Sequence, residues 1–169
     1  KPIAVAATDF TVKGGSIGHA GGRKVDRVSD LALENGYPLV MLHDGGGHRI
    51  QEGLDARPFA RGDAGFANKQ ETMSGWIPQV SAMMGPGFAA ATNFGALSDF
   101  VPMVEGTSTM GVAGPSLVKA ALGIDLSKEE LGGAEMQTSE TGMADIACED
   151  DEDCLDAVKE FLSYLPRNA

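Results

Sequence analysis

Short apolar runs alternate with helix-periodic segments along this chain, and glycine clusters mark the junctions between them. Ile3-Ala4-Val5-Ala6-Ala7-Thr8 is short, apolar and free of helical period, so it reads as a buried strand. Pro38 to Leu42 is a second run, bounded by Gly36 and by Asp44-Gly45, which suits a parallel strand covered on both faces. Ile77–Met84 and Phe100–Val104 read as two more strands. Between the first pair, Val25, Val28, Leu31 and Ala32 recur at helical spacing from Arg23 to Asn35, with Gly36 where a C-cap belongs. Further helices are expected from about His48, near Ala67–Ser74, and from Gly85-Pro86-Gly87 through Leu97, with a less regular stretch around Arg57–Asp63. Ser127-Lys128-Glu129-Glu130 is a capping-box sequence. Asp151 to Leu165 is the clearest helix: its start is acidic, Leu155, Val158, Phe161 and Leu162 share one face, and Pro166 stops it. Strands alternating with helices call for an α/β layer with mostly parallel strands.

Composition narrows the class of partner. At 169 residues the chain is one domain's worth of sequence, able to bury a real core. Thirteen Lys+Arg against 24 Asp+Glu give a net charge of −11, which argues against nucleic acid and against a polybasic membrane contact. No apolar run approaches the roughly 20 residues of a membrane span. Cys148 and Cys154 cannot build a disulfide framework, so a reducing compartment is expected. The 23 glycines follow no collagen-like period; their clusters point to close backbone approach at several turns.

In parallel α/β sheets, ligands sit where strands pass into helices. Two segments have that form. Leu42-His43-Asp44-Gly45-Gly46-Gly47-His48-Arg49 runs from a strand through three glycines to a helix start. Successive glycines let neighbouring N–H groups point one way, which suits a phosphate or an oxyanion developing on a thioester carbonyl. The other segment, Gly85-Pro86-Gly87-Phe88-Ala89-Ala90, matches the G-x-G-x-x-A dinucleotide fingerprint, with Glu105 about 20 residues on as the ribose partner. Pro86 weakens that alternative, an NAD(P)-binding module using Gly85–Ala90, by removing an N–H from the turn. Side-chain engines are scarce. His43 and His48 lie five apart across glycines, the two cysteines have no third ligand nearby, and no G-x-S-x-G or H-E-x-x-H is present, so no metal is expected. Met83-Met84 and the other methionines read as core filler. What remains is a site made of backbone amides, which suits enolate chemistry on a thioester.

Several stretches taken together resemble the carboxyltransferase (beta) subunit of biotin-dependent acyl-CoA carboxylases. They are Asp9-Phe10-Thr11-Val12 with Gly14-Gly15-Ser16, Asp44-Gly45-Gly46-Gly47-His48-Arg49-Ile50-Gln51-Glu52-Gly53, and Ile77-Pro78-Gln79-Val80 with Met84-Gly85-Pro86. Glu129-Glu130-Leu131-Gly132-Gly133-Ala134 and Tyr164-Leu165-Pro166 complete the ordered set. The resemblance implies an α/β, crotonase-like ββα spiral, of which residues 1–169 would form most of the N-terminal, acyl-CoA-binding half. The opening strands and a second domain, where biotin mainly binds, would lie outside this sequence. The implied reaction moves a carboxyl group from carboxybiotin to the α carbon of an acyl-CoA. A biotin-dependent acyl-CoA decarboxylase subunit shares the same motifs. The cofactor is biotin carried on a partner protein or domain, and a coenzyme A thioester is the substrate. Biotin carboxylase and biotin carboxyl carrier are the expected partners, within a homo- or hetero-oligomer of the cytoplasm, or of the mitochondrial matrix in a eukaryote. Carried over by position, the catalytic amides are those of Gly46 and Gly47; His48, Arg49, Gly87, Phe88, Ala89 and Ala90 would line the substrate. The family often has Asp-Ser-Gly-Gly-Ala-Arg where this chain has Asp44 to Arg49, and Cys-Ala-Gly-Gly-Ala where it has Gly87 to Ala91. Methyl groups on Ala89 and Ala90 are therefore expected to narrow one wall, and His48 is expected at the surface of the helix start.

Overall fold

The computed structural model describes residues 2–53 and 64–166. Among them, strands β1 (Ala4–Ala7), β2 (Leu39–His43), β3 (Gln79–Met83), β4 (Pro102–Val104) and β5 (Ile146–Cys148) form one sheet in chain order, every neighbouring pair parallel. The helices are α1 (His19–Asn35), α2 (Ile50–Gly53), α3 (Ala64–Met73), α4 (Ala90–Ala96), α5 (Pro115–Leu122), α6 (Lys128–Gly132) and α7 (Asp151–Ser163). A 3₁₀ turn spans Lys13–Gly15 and a π-helix spans Met136–Thr141. Strand-by-strand advance without reversal makes the chain a spiral. A second, sparser layer follows the same advance: after β1 and β2 come Ile17 and His48, bridged in parallel, and after β3 and β4 come Pro86 and Thr109, also bridged in parallel. Each of these strand-and-bridge pairs is followed by a helix, the repeating unit of the spiral.

Period-2 alternation explains why the sheet is dry on both faces. On β2, Leu39 and Met41 point into a cluster with Ala32, Met73 and Ile77, under α1 and α3. Val40 points the other way and joins Val80, Ala82, Val104, Cys148, Cys154, Val158 and Leu162 under α7. Phe100 stacks on Phe161 there, ring centroids 4.6 Å apart. Burying a Leu, Val or Met side chain stabilises by about 1.5–3 kcal/mol, so these clusters outweigh local propensity in fixing the strands. Met83, Met103 and Met110 sit in a third cluster, as core methionines should.

The expected elements are present with shifted ends. The first helix begins at His19, a turn before Arg23, and stops as expected at Gly36, which is left-handed at φ 65°. The helix expected from His48 starts at Ile50, and the Phe100 run becomes a strand only at Pro102, Phe100 itself making an isolated parallel bridge with Val80. The capping box forms in full at Ser127. Asp150 caps α7 by accepting from Asp153 N–H, and α7 ends at Ser163. The stretch 57–63 lies outside the described residues. Sequence reading passed over α5, β5 and the π-helix. Gly114-Pro115 did announce α5, since Pro is favoured in the first helical turn.

Candidate active site

Parallel strands put their carboxyl ends on one side, so the loops after β1, β2 and β3 become neighbours. The loop after β1 contains Gly14-Gly15, and it lies directly on Asp44-Gly45. A Cβ on Gly15 would overlap Asp44 O and Gly45 Cα, and a Cβ on Gly45 would overlap Gly15 Cα. Only glycine at both positions permits that approach. The two loops are then stitched together. Ile17 N–H donates to Gly47 O at 3.0 Å, Arg49 N–H to Ile17 O at 2.9 Å, Asp44 N–H to Thr8 Oγ1 at 2.7 Å and Phe10 N–H to Asp44 Oδ2 at 3.3 Å. Met84 and Gly85 N–H both donate to His43 O, at 2.9 and 3.1 Å, which ties the third loop to the second.

These contacts bring the two glycine-rich segments together. The open direction off Gly47 Cα points to Ala89 Cβ, 3.6 Å from where a Cβ would stand, with Phe88 O at 3.9 Å. The same carbonyl lies 3.9 Å from a would-be Cβ on Gly46. Gly46 N–H donates to Gly14 O at 3.4 Å, whereas Gly47 N–H finds no acceptor among the described residues. Gly47 has φ 37° and Ala89, the N-cap of α4, has φ 67° and ψ −115°. On the far wall, the first-turn N–H groups of Ala90 and Ala91 also lack acceptors among the described residues, as at any helix start.

The other candidate residues take different places. His48 is exposed, as expected, and its backbone bridges Ile17. Arg49 is turned back on the scaffold: Nη2 donates to Ser16 O at 2.9 Å, Nε to Ser16 Oγ at 3.3 Å and Nη1 to Glu52 Oε1 at 2.8 Å. Glu52 Oε2 in turn accepts from His19 N–H at 2.6 Å, capping α1 from outside. That N–H, then Arg49, holds the Glu52 carboxyl below its ordinary range. Gly87 is buried behind the wall, its N–H donating to Thr109 O at 2.8 Å; a Cβ there would overlap the Met83 methyl. Phe88 lays its ring against Gly111 and Gly114, and Ala90 is buried. Ala89 alone among the wall residues Gly87 to Ala90 is exposed.

His43 belongs to the core. It is buried, its Nε2 lies 3.2 Å from Ser81 Oγ, and Ser81 Oγ lies 2.8 Å from Ser98 Oγ. Burial pushes its pKa down to about 4, so it is neutral at physiological pH. Thr92 went unnoticed in the sequence, because a lone Thr in a helix carries no motif. Its Oγ1 donates to Gly87 O at 2.7 Å and accepts from Gly111 N–H at 2.8 Å, clamping the start of α4 to the turn after β4.

The sheet order overturns the dinucleotide reading of Gly85–Ala90. That fingerprint works at a point where strand order reverses, and this sheet advances from β1 to β5 without reversal. Glu105, its supposed ribose partner, is exposed beyond β4, with its N–H donating to Cys148 O at 2.9 Å.

The family model described as carboxyl transferase domain matches residues 1–169. The chain belongs to the carboxyl transferase family. This carboxyltransferase chain is 42% identical over 166 residues to the propionyl-CoA carboxylase beta chain of Saccharopolyspora erythraea, covering 98% of itself and 30% of that chain. It is 41% identical over 162 residues to methylmalonyl-CoA decarboxylase subunit alpha of Veillonella parvula, covering 96% of itself and 31% of the relative. The crystal structure of transcarboxylase 12S, with methylmalonyl-coenzyme A and methylmalonic acid bound, superposes with a TM-score of 0.89 at 36% identity over 97% of this chain and 32% of that one. The fold is the crotonase-like spiral of these carboxyltransferases. The carboxyltransferase chain spans about 30% of the length of the curated relatives it matches. No helix among the described residues is long and apolar enough to cross a membrane.

Proposed function

We propose that this chain is the acyl-CoA-binding half of a biotin-dependent carboxyltransferase and that Gly47 N–H holds the thioester oxygen as the enolate forms. The observation that carries the reading is the Gly47 amide, without an acceptor among the described residues, in a glycine-rich loop whose open Cα direction points to Ala89 on the other such loop. A preorganised amide at such a junction would stabilise an oxyanion more than the neutral carbonyl it comes from, which lowers the barrier to enolisation. Gly46, bonded to Gly14 O, keeps the loop in register, and the first-turn amides of α4 offer further donors on the opposite wall.

The donor set fits a carrier-borne ureido cofactor. His43 is sealed in the core and Arg49 is committed to Ser16 and Glu52, so neither is placed to take a proton from the substrate α carbon. Biotin, delivered by biotin carboxyl carrier after loading by biotin carboxylase, would supply both the carboxyl group and the nitrogen base. This chain's part is to bind the thioester, orient its α carbon and stabilise charge on its oxygen. A second domain in the assembled enzyme would complete the biotin side. Two unpaired cysteines support a reducing compartment.

Methylmalonyl-CoA decarboxylase subunit alpha is as similar to this chain as the carboxylase chain is, which supports the reverse reaction equally. Titration of the protein with acyl-CoA and with NADH tests the binding class. Saturable acyl-CoA binding is expected, and NADH binding without it overturns the reading. Turnover of the assembled enzyme with acyl-CoA plus carboxybiotin, and separately with a carboxyacyl-CoA, then assigns the direction.

A further inference from the structure

Ala89 and Lys13 are the non-glycine residues with positive φ among those described. At φ 67° and ψ −115°, Ala89 occupies a backbone region in which a Cβ costs free energy that glycine would not. Packing does not explain the methyl group. Ala90, the next residue, is buried in the wall, whereas Ala89 is exposed. Neither neighbour competes for the space. The Phe88 ring lies against Gly111 and Gly114, and Gly46 and Gly47 opposite carry no side chains. Where the two loops face each other, the side chain standing between them is that single methyl, 3.6 Å from the open direction off Gly47.

We infer that the Ala89 methyl group is a size stop for the acyl chain, confining the site to short acyl-CoA thioesters. The inference rests on the reading of this loop junction as an acyl-CoA site. A thioester whose oxygen meets Gly47 N–H must carry its acyl chain past Ala89 or away from it. Each added methylene then meets a methyl fixed on the backbone at the start of α4, a stop that cannot rotate away as a longer side chain could.

The test is kcat/KM for acetyl-, propionyl- and butyryl-CoA in the assembled enzyme, wild type against Ala89→Gly, with thermal unfolding of both. Wild type should lose efficiency steeply with chain length. The Ala89→Gly enzyme should reduce the acetyl-to-butyryl preference by about tenfold or more, the range in which a pocket discriminates one methylene. Its Tm should rise, because glycine adopts this backbone without strain. An unchanged preference overturns the size stop, whatever the Tm does. A failure of both enzymes to bind or turn over any acyl-CoA is a different result: it overturns the acyl-CoA reading of the loop junction and the size stop with it.

Discussion

At Gly47 the proposed functional group is the backbone itself. Its φ of 37° is accessible to glycine and costly for a β-branched residue, while the space off its Cα is ordinary contact distance from Ala89. Gly47→Val should therefore fold, at a stability cost of about 1–3 kcal/mol, yet swing the amide off target. Loss of one oxyanion donor lowers kcat by ~10²–10³, and that is the expected effect on acyl-CoA-dependent turnover. Near-normal turnover refutes the donor role; a melting curve for the same variant separates it from unfolding. His43 gives a second residue-scale prediction. Its folded pKa, about 4, lies below the unfolded value of 6.5, so between these pH values the unfolded state binds the extra proton. Stability from this group is complete above pH 6.5 and is lost as the pH falls towards 4. His43→Asn should flatten that part of the stability–pH curve, as followed by denaturant unfolding at a series of pH values. The glycine loop was legible in the sequence because backbone freedom is written in residue type. The destination of Arg49 was not, since a long flexible side chain can serve substrate or scaffold from the same position.

At the scale of elements, the site depends on how α4 is held. Thr92 Oγ1 bridges Gly87 O and Gly111 N–H, joining the wall that presents Ala89 to the turn on which Phe88 packs. Thr92→Val keeps the shape and removes both bonds. The Gly111 N–H is then left unpaired in a half-buried setting, costing about 1–3 kcal/mol. A loss in that range by chemical denaturation, together with a fall in turnover as the wall loosens, is expected; wild-type stability would show that the clamp is dispensable. Strands with long apolar runs and helices with clear caps were readable ahead of the structure, as at Leu39–His43 and at α7. What escaped were elements made by tertiary contact. β5 is three residues long and exists through its ladder with Pro102–Val104. The π-helix at Met136–Thr141 forms where Gln137 Nε2 reaches Met110 O at 3.0 Å, a bond no local pattern announces.

For the whole molecule, sheet order removes the dinucleotide reading that the Gly85–Ala90 motif alone left open, because that motif binds a dinucleotide where strand order reverses and here it does not. The spiral also leaves one surface unfinished. Helix α5 contributes no buried residue, and Leu117 and Leu122 on it are 61% and 68% exposed; Val112, before it, is 84% exposed, and Ile124, after it, is also exposed. Leaving several large apolar side chains exposed along one short stretch is unusual for a soluble monomer, whereas oligomer interfaces require them. The face over α5 is therefore expected to be covered by another copy of the carboxyltransferase subunit in the assembled enzyme. Replacing Leu117 and Leu122 together by Glu tests this, since both are exposed in the isolated fold and neither supports its core. Circular dichroism should stay at wild type while sedimentation velocity shows a shift to smaller species, with turnover falling wherever the site needs the neighbouring subunit. An assembly of unchanged size in the double variant would show that α5 faces solvent and that the contact between subunits lies elsewhere.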